Sequence, residues 1–505
     1  MRINNYLSYY LLLLLFPVSF LLHNVNENFG LVSLSVILYL LLKYVATAVC
    51  IAFVSKLLLR SYSKAFLFSF FLLLINFLFG VYKDFAKAAQ LPAAFNSYSL
   101  LLPELVLLII TAAVFLLRKQ FAPVRFVQAL TLFLLINFAY ETGWCLYNLA
   151  TRKDLQQDFG DQAHNTIRKL EVAPAAQKPT VFWLVFDEYA ASSSLKKVWG
   201  FHNPLDSTLR SKGFFVADSA RSNYNFTHYS FTSTLDMVYL RDLKNHSVVR
   251  LKDAQRGIYS VYDNNVTKVF EQNGYAIHNY TIFPMQDHPT QSFEMFAYVP
   301  EQLINFQTLE GRIRGDIGWN FSHLLQRNRH AADSIAGARV LEDLDTAYKN
   351  QVSRFLTMAA AASHDNTPSF NLLHLQLPHE PYFYRADGSI AYQNGYSDSA
   401  RHYIPHLQYT NQVVDRVTDS LLALYSGQDL VIIIQGDHGF KFQEADPLYD
   451  QESCKILYAV YCSDRRYAWW PRSLSIVNSF RIVFNKYFQA GLPLLPDHSY
   501  NLYYR

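Results

Sequence analysis

An α/β domain with a largely parallel central sheet, preceded by an α-helical transmembrane domain of about five spans, is the architecture this 505-residue sequence predicts. Three observations predict it. Long apolar runs crowd into the first third, short apolar strand-like runs alternate with helical patterns after residue 180, and the charge distribution changes between the two parts.

The first 150 residues hold four carboxylates (Glu27, Asp84, Glu104, Glu141) against ten Lys or Arg, whereas the rest hold 34 basic and 36 acidic side chains. The net +4 therefore belongs to the N-terminal third. No basic stripe with interleaved aromatics follows, so nucleic acid is excluded as a partner. Runs near 7–23, 31–55, 65–82, 99–117 and 126–148 reach the roughly 18–20 apolar residues that cross a bilayer. A cleavable signal peptide does not fit the first run, because no small-residue cleavage site follows it and further spans do. Lys56, Arg60 and Lys64 lie between spans two and three, and Arg118, Lys119 and Arg125 between four and five. The alternate loops are poorer in basic residues. Positive-inside logic places the N-terminus in the cytoplasm, and an odd number of spans delivers residue 151 onward to the periplasm or cell surface. The expected division is an anchor over 1–150, a linker over 151–178 and a catalytic domain over 179–505.

After the linker, Val181–Phe186 is a short apolar run of the kind covered on both faces of a sheet. A helical stretch at 202–212 follows, then strand-like runs at Phe214–Ala217, Tyr275–Phe283, Phe370–Leu377 and Leu430–Ile434. Val413, Val414, Val417, Leu421, Leu422 and Leu424 recur at helical spacing before the last of these. Cys454 and Cys462 could pair in an oxidising compartment, which spacing alone does not decide. Without a Cys-x-x-Cys pair, a zinc–thiolate site does not fit.

Ligands of open α/β sheets bind beyond the carboxyl ends of the strands. Asp187 ends the first strand and Asp437-His438-Gly439 follow the last, so both sets project onto one edge. Two carboxylates and an imidazole suit a divalent cation such as zinc or manganese; Asp187-Glu188 alone also reads as a turn or helix cap. Between them, Ser222–Leu240 is hydroxyl-rich, and as a helix it starts near Thr227 with Phe231, Leu235 and Val238 facing inward. A hydroxyl at a helix N-terminus meets unpaired N–H groups and the positive end of the dipole, which favour an alkoxide and a bound phosphoryl group. The same residue, or Ser222, can equally be a helix cap. In Leu373-His374-Leu-Gln-Leu-Pro-His379-Glu-Pro381-Tyr382, His374 sits within a strand pattern and serves either packing or the substrate. His379 falls just past the strand between prolines, where an imidazole can protonate a leaving oxygen.

In order, "VFDEY", "NFTHYSFTSTL", "HLQLPHEPY" and "IIIQGDHGF" resemble the alkaline phosphatase superfamily, in its sulfatase-like and membrane phosphotransferase branch, over roughly residues 178–495. The five-span anchor is similar to those of lipoteichoic acid synthases and phosphoethanolamine transferases. The resemblance implies that Asp187, Asp437 and His438 bind the metal, with Thr227 as ligand and nucleophile. It also implies that His374 and His379 serve the metal and substrate region. Ser230 and Leu235 fit the family's pattern beyond the nucleophile. The Cys/Ser-x-Pro-x-Arg signature of sulfatases proper is replaced by Thr227-His228-Tyr229-Ser230-Phe231, and threonine cannot become formylglycine.

The sequence thus predicts a membrane-anchored, metal-dependent phosphotransferase or phosphodiesterase with a threonine nucleophile. The bilayer and a phospholipid or glycan ester are the expected partners. A sulfatase-like hydrolase and a non-catalytic binding module are its rivals.

Overall fold

Where the sequence has long apolar runs the chain is helical: α1 (Arg2–Glu27), α2 (Leu34–Leu59), α3 (Tyr62–Ala88), α4 (Tyr98–Arg118) and α5 (Val124–Thr151). The computed structural model describes residues 2–89, 91–118, 124–151, 178–292, 301–314, 329–365, 367–391 and 400–504. Four helices, α2 to α5, are long and apolar enough to cross a membrane, and α1 adds a shorter apolar stretch, Leu12–Glu27. Together they coincide with the five expected spans. Exposed leucines such as Leu34 and Leu42 cover their surface, which suits hydrocarbon and not water. All but the end residues of the expected linker, 152–177, lie outside the described residues.

The chain divides into two units. The first contains 1–157 together with 298–326. A segment distant in sequence therefore packs with the apolar helices, through two short helices, Gln302–Asn305 and Leu309–Arg312. Lys43 Nζ donates to Asn305 Oδ1 (3.2 Å) and Glu310 Oε2 (2.6 Å), Tyr44 donates to Asn305, and Arg312 pairs with Asp84. Gly80 permits the approach: a Cβ there would lie 2.5 Å from the Cα of Gln307.

The second unit is built on a six-stranded sheet: β1 (Thr180–Phe186), β2 (Phe215–Val216), β3 (Ala276–Tyr280), β4 (Ser369–Leu375), β5 (Leu430–Gly436) and β6 (Tyr458–Cys462). Their spatial order is β2-β6-β5-β1-β4-β3. The four strands β5, β1, β4 and β3 are parallel, and β6 and β2 continue the sheet antiparallel. Every residue of β4 and β5 is buried, which is why these runs lack polar alternation. Successive residues of β1 feed two cores. Phe182, Leu184 and Phe186 face one, with α8 (Arg329–Ala362) and α9 (Ala400–Leu424); Val181, Trp183 and Val185 face the other. The helices α6 (Thr227–Asp236), α7 (Leu251–Tyr262) and α10 (Ser479–Phe488) belong to the same unit.

Cys454 and Cys462 are free, buried thiols. Cys454 donates to Asn501 Oδ1, and burial pushes its pKa up to about 12.

The turn after β5 threads between backbone carbonyls. A Cβ on Gly439 would lie 2.6 Å from the carbonyl oxygens of Glu452 and Lys455. Backbone cannot yield as a side chain can. Gly439→Ala is expected to cost about 1–3 kcal/mol, read as a lowered Tm of the purified protein; an unchanged Tm would refute the constraint.

Candidate active site

Phe186 of β1 pairs with Leu375 of β4 and with Gly436 of β5, so the residues that follow reach one sheet edge side by side. Asp187 leaves β1 there, Asp437 and His438 leave β5, and His374 is the penultimate residue of β4. The ligand atoms of Asp187, His374 and Asp437 all lie within 4.8 Å of one another, and the three residues are buried. His374 Nε2 is 3.3 Å from Asp187 Oδ2. His438 Nε2 is 3.5 Å from Asp187 Oδ1 and 3.7 Å from Asp437 Oδ2. His374 thus stands among the carboxylates.

The electrostatics are lopsided. Burial opposes ionisation of Asp187, but His379, His374 and His438 outweigh it and hold that carboxyl below the usual carboxylate range. Asp437 is pushed up, first by burial and then by the charge on Asp187. One oxygen of Asp437 is anchored, accepting from the backbone N–H groups of Glu188 (3.0 Å) and His438 (2.9 Å). Its Oδ2, Asp187 Oδ1 and both ring nitrogens of His374 have no hydrogen-bond partner. An unsatisfied buried group costs about 1–3 kcal/mol. Two carboxylates and two imidazoles with orphaned atoms fit a divalent cation in both charge and donor type.

The helix α6 brings Thr227 to this edge. Its cap residue is Phe226, which makes no side-chain cap bond, so Thr227 is the first helical residue and its hydroxyl is not spent on capping. That hydroxyl instead lies beside the Asp437 carboxylate, where it favours the ionised form. Phe231 seats the helix, with ring centroids 5.0 Å from Trp183, 5.0 Å from Phe283 and 4.8 Å from His374. Leu235 is fully buried as expected. Val238 falls outside the helix, which Met237 terminates at φ +57°. Ser230 Oγ donates to the Asp437 carbonyl at 2.5 Å, tying helix to strand. His228 is neutral at physiological pH, since burial pushes it down to about 4.

His379 sits between two cis X-Pro bonds, Leu377-Pro378 and Glu380-Pro381. Its ring centroid is 6.5 Å from that of His438, and its Nδ1 lies 2.7 Å from the Glu380 carbonyl. Burial favours the neutral ring, but the carboxylates of Asp187 and Glu188 outweigh burial and raise its pKa. The loop that follows is held by His406, whose Nδ1 accepts from the N–H groups of Phe383 and Tyr384.

Sequence reasoning passed over Glu188, Tyr382 and Lys441. The buried Glu188 carboxylate accepts from the Tyr382 hydroxyl (3.1 Å) and the Lys441 N–H (2.7 Å). The signal available was the second acid of "VFDEY", which local pattern reads as a turn.

An α/β sheet with a hydroxyl-bearing helix and acids at its carboxyl edge, in a chain that also carries apolar helices of membrane length, is the architecture of a sulfatase-like enzyme. The sulfatase family profile matches residues 214–472, and the chain belongs to that family. Among solved structures, it is similar to the integral membrane protein lipooligosaccharide phosphoethanolamine transferase A from Neisseria meningitidis, at 13% identity over 96% of this chain and 94% of that one, with TM-score 0.36. It is also similar to the C-terminal periplasmic domain of EcEptC from Escherichia coli, at 12% identity over 65% and 92%, with TM-score 0.38. A third is the C-terminal periplasmic domain of phosphoethanolamine transferase EptC from Campylobacter jejuni, at 14% identity over 66% and 99%, with TM-score 0.35. No curated protein matches the chain.

Elemental analysis of the purified protein should find a stoichiometric divalent ion. Asp187→Asn and His374→Ala should each weaken its retention on the order of 100-fold, read by competition with a chelator. Equal retention in these variants and the parent would refute the ligand assignment.

Proposed function

We propose that the protein is a membrane-anchored phosphotransferase or phosphodiesterase that works through a phosphothreonine on Thr227. The observation that carries this reading is the Thr227 hydroxyl, free of capping duty, at the start of a helix and beside the Asp437 carboxylate, whose ionised form it favours. Asp187, Asp437, His438 and Thr227 are the assigned metal ligands, and the position of His374 supports adding it to them. A divalent zinc or manganese ion bound there would polarise the ester and lower the pKa of the threonine hydroxyl.

The chain's own groups account for the rest. Asp437 orients Oγ1 for in-line attack on phosphorus, takes the hydroxyl proton as the Oγ1–P bond forms, and returns it when Thr227 is freed. The first-turn N–H groups of α6 face the charge that grows on the phosphoryl oxygens. As the ester P–O bond breaks, protonated His379 gives its proton to the departing alkoxide. A second hydroxyl, from an acceptor or from water, then attacks phosphorus and frees Thr227 while His379 takes the proton back. Thr227 has no route to formylglycine, so this cycle excludes sulfate-ester hydrolysis by that aldehyde.

We assign 1–150 to the anchor, joined by 298–326, and the rest of 179–505 to the catalytic part, with catalysis outside the cytoplasm. The basic loop at Lys56, Arg60 and Lys64 marks one end of the helices. The segment 301–314 engages α2 through Lys43 and α3 through Asp84, towards the opposite ends of both helices. A bilayer-tethered site has phospholipid head groups as its nearest phosphodiesters, and a surface glycan or lipid hydroxyl is a fitting acceptor.

Mass spectrometry of the full-length protein quenched during turnover should find phosphate on Thr227, and Thr227→Ala should abolish phosphodiester turnover; full activity without that hydroxyl would sink the proposal. His379 has a raised pKa, so activity should fall on the alkaline side as its proton is lost. His379→Ala should lower kcat on the order of 100-fold and lose that alkaline limb; a variant keeping the limb would exclude His379 as the acid.

A further inference from the structure

One buried acid at the site has no task in this cycle. Glu188 directly follows Asp187, is 1% exposed, and holds φ at +63°. A non-glycine residue in that region is strained and persists only where its surroundings over-determine it. Here they do. Its N–H donates to Asp437 Oδ1, its carbonyl accepts from the Tyr403 hydroxyl at 2.6 Å, and its carboxylate takes the Lys441 N–H and the Tyr382 hydroxyl. One residue thus joins the β1 edge, the loop after β5 and the loop carrying His379.

The two halves of Glu188 serve different ends. The main-chain N–H fixes a carboxylate of the cation site. The side chain fixes the backbone of Lys441, whose ammonium lies 4.6 Å from the centroid of the Phe226 ring, the residue before Thr227. Lys441 is exposed, and its charge acts on both His228 and His379, on either side of the nucleophile. Among the described residues, no ion pair occupies that ammonium.

We propose that Glu188 is a positioning residue with divided duties: its N–H orients Asp437, and its carboxylate seats Lys441 so that the ammonium receives an anionic phosphoryl oxygen. This rests on the phosphoryl-transfer reading above. It separates cation binding from anion binding within one residue.

Glycine is at ease at +63°. Glu188→Gly therefore keeps the N–H that serves Asp437 and removes only the carboxylate, while Glu188→Gln keeps an acceptor oxygen for the Lys441 N–H. Full-length protein in detergent micelles, loaded with the metal it retains, is titrated calorimetrically with inorganic orthophosphate, and its metal content is measured. Glu188→Gly should retain the parent's metal content yet bind orthophosphate about tenfold or more weakly. Glu188→Gln should stay within about threefold of the parent. Lys441→Ala should match Glu188→Gly, and the double variant should be no weaker than either single one, because both changes break one connection. Four results would each overturn the proposal: loss of metal in Glu188→Gly, unchanged orthophosphate affinity in that variant, additive losses in the double variant, or a metal-loaded parent that binds no orthophosphate. An active Thr227→Ala protein would count against the nucleophile instead, and the affinities above would still decide the role of Glu188.

Discussion

Two carboxylates, Asp187 and Asp437, are buried close together at one edge of a sheet, and everything else at the site answers to that arrangement. Like charges in a desolvated place cannot both ionise without compensation. The compensation is visible as three imidazoles, from His374, His379 and His438, which hold Asp187 ionised while Asp437 is pushed up. A divalent cation would complete it, taking the oxygens and ring nitrogens that now lack partners. Apolar substitutes would be cheaper for stability alone, since buried charges return little when their desolvation is counted. Their presence therefore argues for chemistry.

The same constraint explains why the neighbouring elements are so firmly tied. A carboxylate that must face an ion needs its other oxygen held, and Asp437 Oδ1 takes two backbone N–H groups for this. A threonine that must face the same point needs its helix fixed in both rotation and height. Phe231 sets the rotation by wedging between Trp183, Phe283 and His374, and Ser230 sets the height through the Asp437 carbonyl. Gly257, on α7, allows the second helix to approach, since a Cβ there would sit 3.3 Å from Thr232 Oγ1. Placement within a fraction of an ångström is what catalysis demands of such groups.

The fold was legible because its signals are local. Five apolar runs and five strand-like runs follow directly from composition, and the strand ends locate Asp187, Asp437 and His438 without knowledge of partners. What was not legible depends on contacts between distant residues. The second acid of "VFDEY" looks like any turn residue until Lys441 and Tyr382 arrive from more than 190 positions away to bond it. Whether Thr227 caps its helix likewise needed the helix start itself, because a one-residue shift makes Phe226 the cap residue. The paired histidines gave a similar ambiguity: five residues separate them, yet one ends inside the sheet and the other in a loop.

The anchor shows why composition also misjudges where one unit stops. Polar side chains among apolar helices are expensive unless paired, and two charged side chains among them, Glu141 and Lys43, have partners. Glu141 accepts from Asn26 (2.7 Å) and lies 2.8 Å from the His23 ring, joining α5 to α1. Lys43 finds its partners in Asn305 and Glu310, more than 260 positions later. The segment 301–314 carries too few apolar residues to read as part of a membrane unit. Its membership rests on Ile304, buried among the apolar side chains of the bundle, and on charge pairing: a lysine inside a predicted span requires an acid, and the chain supplies that acid from between β3 and α8. A boundary drawn where hydropathy falls therefore marks where the bundle's helices end, and the bundle's own chemistry extends past it.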